Sequence, residues 1–195
     1  MSSLLSTLTQ QLGGDAIQQI SAQLGTDPAS TQTAVGAALP LLLGALGRNT
    51  ASPDGAAALS TALQQHDGSV LNNLTGFLSS GGNIQDGSAI VGHVLGGKQE
   101  AVANSLSQVS GLNAGSTSQL LAMLAPVVMG ALGKTQREEG LNAGGLANLL
   151  SGEQSHADSM LGGLASQLLD ANHDGSIVDD VVNMGSKLLG GLFGR

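Results

Sequence analysis

The sequence predicts an all-α fold, a multihelical bundle with pseudo-duplicated halves around two long, proline-containing helices. Three observations carry this reading. Strand signals are nearly absent, because β-branched and aromatic residues never alternate for long. Apolar residues instead recur at helical spacing between glycine stops. A gapless shift of 86 residues lays 16–48 over 102–134.

Leu4, Leu5, Leu8 and Leu12 form the first apolar stripe, and Ile17, Ile20 and Leu24 the second. Gly13-Gly14 and Gly25 stop these two helices. Asp27-Pro28 reads as an N-cap followed by proline at the first helical position. It opens a long helix ending near Gly47. Shorter helices are predicted around 54–65, 68–79, 86–96 and 99–110. A second long helix starts after Asn113 and runs to about Gly133. Helices near 142–151, 156–169 and 178–192 complete the chain.

Within the repeat, Gly25 meets Gly111, Ser30-Thr31 meets Ser116-Thr117, and Pro40 meets Pro126. Gly44-Ala45-Leu46-Gly47-Arg48 meets Gly130-Ala131-Leu132-Gly133-Lys134. Gly36, Pro40 and Gly44 stand at i, i+4 and i+8, as do Ala122, Pro126 and Gly130. Each set makes a smooth helix face that another backbone can approach closely, and an internal proline removes one helical hydrogen bond. The two long helices are expected side by side at the centre. Arg48 and Lys134 are expected to close their dipole-negative ends. The alternative is that these are small residues in ordinary core helices. The halves are placed at 1–96 and 97–169, with 170–195 as an acidic loop and terminal helix.

Composition narrows the function classes. The chain has six basic against 14 acidic residues and a net charge of −8. Its cations are scattered, whereas a phosphate-tracking surface needs them clustered. Nucleic acid is therefore not an expected partner, and an anionic membrane surface repels the chain for the same reason. Phe77 and Phe193 are the only aromatics, too few for base stacking or for large aromatic binding anchors. With no cysteine, disulfides and zinc–thiolate sites are excluded. The N-terminus lacks a signal-peptide pattern. The longest apolar runs, 34–47 and 120–132, fall short of the roughly 20 residues of a spanning helix. A cytoplasmic protein without stable membrane insertion is expected.

Motifs for catalysis are missing. Gly133-Lys134-Thr135 resembles the end of a phosphate-binding loop, but Val128 stands where that pattern needs glycine, and an apolar helix precedes it. There is no nucleophile elbow and no metalloprotease signature. His66, His93, His156 and His173 are dispersed. His93, in the apolar stretch Ile90–Leu95, is either a core or helix-end histidine or, less in keeping with its surroundings, a ligand or base. Glu138-Glu139 beside Arg137 reads as a solvated loop between helices. No catalytic residue is assigned.

One segment carries metal chemistry. Asp170, Asn172, Asp174 and Ser176 supply side-chain oxygens at positions 1, 3, 5 and 7 of an EF-hand-like loop, with Gly175 at the sharp turn. Alternating oxygens around a glycine-permitted turn are what calcium requires. Position 12 holds Val181 instead of the usual bidentate glutamate, so Asp179 and Asp180 would have to close the site. The alternative is an Asp-Gly turn whose side chains cap the flanking helices. The terminal Lys187–Arg195 stretch either docks on the bundle or enters a membrane surface or a partner's groove.

The runs Leu39–Leu46, Gly92-His93-Val94-Leu95-Gly96 and Leu121–Gly130, with the acidic loop and the Leu188–Phe193 tail, resemble the YidB-like bacterial family, catalogued as domain of unknown function 937. That resemblance implies a multihelical bacterial protein and no established activity or catalytic residues. Family members often carry Asp where Asn172 stands. The expected function is a non-enzymatic structural or interaction protein that binds a protein partner or self-associates. The alternatives are a calcium-binding module using 170–180 and an enzyme of unrecognised class.

Overall fold

The computed structural model describes residues 3–155. The acidic loop, the terminal helices and the candidate ligands Asp170, Asn172, Asp174, Ser176, Asp179 and Asp180 lie outside the described residues, as do His156 and His173. The described residues belong to one compact unit and are helical throughout, with no strand among them.

The order is α1 (Leu4–Gln11), α2 (Asp15–Leu24), α3 (Pro28–Asn49), α4 (Pro53–Ala62), α5 (Ser69–Asn72), α6 (Leu74–Ser79), α7 (Ile84–Leu95), α8 (Gln99–Ser110) and α9 (Ala114–Glu138). A tenth helix, α10, covers 143–155. Short 3-10 turns join α4 to the α5 region and α7 to α8.

α3 and α9 touch in the interior and carry Pro40 and Pro126 within their spans. Leu39, Leu43, Leu120, Met123, Leu124, Val127 and Leu132 are fully buried. A helix apolar on nearly every side belongs in a core, and these two are wrapped by shorter amphipathic helices. α9 is the hub, meeting α1, α2, α3, α5, α7 and α8. By length and composition α3 and α9 are also apolar enough to cross a bilayer, each over an 18-residue window. Those windows, longer than the runs read from sequence, are 67% and 83% buried inside the bundle.

The starts of the two long helices share their local chemistry. The Asp27 carboxylate accepts the Ser30 N–H at 2.9 Å, and the Thr31 hydroxyl donates to the Asp27 carbonyl at 2.8 Å. At α9, Asn113 Oδ1 accepts the Ser116 N–H at 2.9 Å, and the Thr117 hydroxyl donates to the Asn113 carbonyl at 2.9 Å. Gly25 and Gly111 end the preceding helices in left-handed conformations, φ 64° and 76°. Such angles suit glycine because it has no β-carbon to clash.

Four expectations are corrected. The helix expected over 68–79 is two helices, because the Asn73 side chain accepts the Gly76 N–H at 3.2 Å and starts a new one. The second long helix continues past Gly133 to Glu138. Its polar last turns are held by Gln136, which donates to the Ser60 hydroxyl at 2.7 Å, and by Arg137, which donates to the His66 carbonyl at 3.3 Å. Glu138 is therefore helical rather than part of a loop, and pairs with Lys134 at 3.8 Å. Arg137, not Lys134, is the cation of the last turn.

Candidate functional site

A half-open groove of about 660 Å³ runs between α4 and α7. Its walls follow from helical periodicity. Gly55, Ala58, Leu59 and Ala62 line it from α4, spaced i, i+3, i+4 and i+7. Asp86, Ala89, Ile90, His93 and Val94 line it from α7 with the same spacing. Residues so spaced share one helix face. Leu46 of α3 and Met129 of α9 contribute from the two central helices. Three of the four α4 residues, Gly55, Ala58 and Ala62, are small, so the gap between the two helices is not filled by side chains.

α7 is positioned by backbone contact. A β-carbon on Gly87 would overlap the Ala122 carbonyl of α9, so glycine lets α7 lie directly on that helix. Asn83 caps α7 by accepting the Asp86 N–H at 3.2 Å. On the other side, Ser52 caps α4 by accepting the Gly55 N–H at 3.1 Å. The turn bearing His66 is seated against α9, where a β-carbon on Gly133 would strike the His66 carbonyl. Gly133 thus serves a close approach between elements, which accounts for its place before Lys134 without a phosphate-binding loop.

Four polar residues line the groove: Asn49, His66, Asp86 and His93. Asn49 Nδ2 donates to the Val94 carbonyl at 3.0 Å, which leaves its Oδ1 as a free acceptor. Asp86 is half-buried, and among the described residues its carboxylate accepts no hydrogen bond and has no cationic partner. His93, read from its apolar neighbours as a core or helix-end residue, is in the last turn of α7 and exposed at the groove. His66, from the turn after α4, lines the same groove, a meeting that sequence separation concealed. Beside His66, the Asp67 carboxyl is held below its ordinary value by the Ser69 hydroxyl and Ser69 N–H, with a smaller contribution from the Arg137 charge. No group of three or more His, Asp or Glu residues suited to a metal occurs among the described residues.

A second polar cluster escaped the sequence reading. The Glu153 side chain on α10 is 5% exposed, and accepts the Leu4 N–H at 2.8 Å and the Leu5 N–H at 3.0 Å. It caps the first turn of α1 from the far end of the described chain. Leu146, Leu150 and Glu153 stand at i, i+4 and i+7, so helical periodicity continued past 151 puts this acid on the buried face.

The model of a family described as bacterial protein of unknown function (DUF937) matches residues 6–135. No curated protein and no solved structure matches the chain.

Proposed function

Because the chain belongs to DUF937, a bacterial family of unknown function, it inherits no activity, and we propose from its own residues that it is a non-enzymatic structural or interaction protein that self-associates. One asymmetry between the long helices carries this reading. On α9, the small-residue face is occupied: Gly130 lies against Val70 and Gly68, and Ala122 against Gly87. On α3, Pro40 and Gly44 are buried, Gly44 against the folded-back Arg48 side chain, whereas half-buried Gly36 has open space among the described residues where a β-carbon would stand. If the repeat reflects a duplicated unit, the Gly36 turn of α3 lacks, among the described residues, the close cover that α7 gives Ala122 on α9, and a second copy supplies it.

Sedimentation across a wide concentration range tests this reading. A mass rising toward the dimer is expected for the native chain. Gly36→Leu is expected to remain a folded monomer, since the space beside Gly36 is open within one chain but closed in an association. A native protein that stays monomeric at high concentration overturns the proposal.

The absence of recognisable catalytic motifs from the sequence supports the non-enzymatic reading, and the burial of the apolar windows of α3 and α9 supports a cytoplasmic location without stable membrane insertion. A second reading rests on the oxygen spacing of Asp170, Asn172, Asp174 and Ser176: a calcium-binding module closed by Asp179 and Asp180. Calorimetry with calcium is expected to give saturable heat that Asp174→Ala removes. Equal melting temperatures with calcium and with chelator, and no heat, would end this reading.

A further inference from the structure

We propose that the α4–α7 groove binds an aliphatic primary amine, with its hydrocarbon body between the helices and its ammonium group at Asp86. This goes beyond the self-association reading and uses a different part of the molecule.

The volume, about 660 Å³, lies within the roughly 300–1,000 Å³ typical of small-molecule sites. The walls are aliphatic: alanines and glycine on α4, and Ala89, Ile90 and Val94 on α7. Among the described residues no aromatic lines the groove, so a quaternary ammonium finds no aromatic cage there. Of the four polar residues, Asp86 and Asn49 point to a ligand that donates hydrogen bonds, and His66 and His93 can each accept one through a ring nitrogen. Among the described residues the Asp86 carboxylate is a free acceptor, and Asn49 directs its amide N–H group at the Val94 and His93 carbonyls while its Oδ1 can accept. A primary ammonium supplies three N–H donors and the complementary charge. From Asp86 to Val94 the α7 wall runs about 12 Å at 1.5 Å per residue, long enough to bury a medium-length alkyl chain.

Asp86 also stands in the first turn of α7, where the helix dipole favours an acid. Asp54 holds the corresponding acidic position in the first turn of α4 but does not line the groove. The pair separates a local dipole or a change in total charge from ligand contact.

The test uses n-octylamine, n-octanol and octanoate as probes of the full chain, read by calorimetry and by the methyl signals of ¹³C-methionine. Met129 reports on the groove, and Met123, fully buried elsewhere, is the internal control. Saturable binding of octylamine is expected, with the Met129 methyl moving and the Met123 methyl still. Asp86→Asn is expected to weaken binding by about 10-fold or more, the worth of a hydrogen bond to a charged group, while Asp54→Asn leaves it unchanged. Equal binding of octanol or octanoate, a static Met129 signal, or equal effects of the two substitutions would each overturn the proposal. The comparison of probes on the native chain decides the matter even if Asp86→Asn folds poorly. A native chain that stays monomeric while binding octylamine as described defeats the self-association reading alone.

Discussion

Gly87 lies directly on the Ala122 carbonyl, and the amide that would ordinarily donate to that carbonyl within α9 belongs to Pro126, which has none. The proline leaves the acceptor without its helical donor, and the glycine of α7 covers it. Two residues far apart in sequence thus solve a single packing problem.

Gly87→Ala is therefore expected to be strongly destabilising, by about 2 kcal/mol or more, since the added methyl must push backbone from backbone. Gly36→Ala should act in the opposite direction. Among the described residues its β-carbon meets nothing within 4 Å, and alanine gains up to about 1 kcal/mol over glycine inside a helix, a gain to be read at concentrations where the chain is monomeric. Urea unfolding of both variants checks the contrast. Similar losses at the two positions would contradict the packing described.

The Glu153 bridge makes a separate demand. Glu153→Ala strips acceptors from the Leu4 and Leu5 N–H groups and is expected to cost about 2 kcal/mol, as for hydrogen bonds to a charged group. Glu153→Gln keeps one acceptor oxygen and should lose less. Hydrogen exchange localises the effect: α1 amides should lose protection first, while α9 amides keep theirs. Uniform loss across both helices would show that Glu153 does more than hold α1.

The related caps of α3 and α9 differ in one respect, because Asp27 titrates and Asn113 does not. The Ser30 N–H, followed by the Ser30 hydroxyl, holds the Asp27 carboxyl below its ordinary value. A carboxyl lowered by folding stabilises the native state above its unfolded pKa, about 3.9, and that contribution is lost as the pH falls through the folded value. Asn113→Ala is expected to cost about 1 kcal/mol throughout the acid range. The deficit of Asp27→Ala should shrink as the pH drops below about 3.9. Melting temperatures against pH for the two variants decide this, and parallel profiles would refute it.

Asp67 adds to the same acid dependence through the Ser69 hydroxyl and N–H, and it couples the turn after α4 to Arg137 at the end of α9. Asp67→Asn is expected to lower the melting temperature at neutral pH and to converge on the native chain in acid. Because the Arg137 charge contributes less to the shift than either Ser69 hydrogen bond, high salt should leave most of the difference in place. A difference abolished by salt would make the ion pair, rather than Ser69, the cause.

Sequence by itself determined what depends on local rules. Helical spacing, glycine stops, and Asp27-Pro28 and Asn113 as caps set the all-α class and the starts of both long helices, because each works within a few residues. The same logic missed Glu153, because the helix expected to end near 151 runs on to 155 and carries this acid onto the face of Leu146 and Leu150, with its partners nearly the whole described chain away. What tertiary structure alone decided were the meetings: α7 on α9 through Gly87, His66 and His93 brought to one groove, and Asp86 left there without a cation among the described residues. Periodicity says which face of a helix is apolar, but not which neighbour will cover it. Neighbours are chosen by the shape and free acceptors of distant segments, and only the folded chain brings these within contact range.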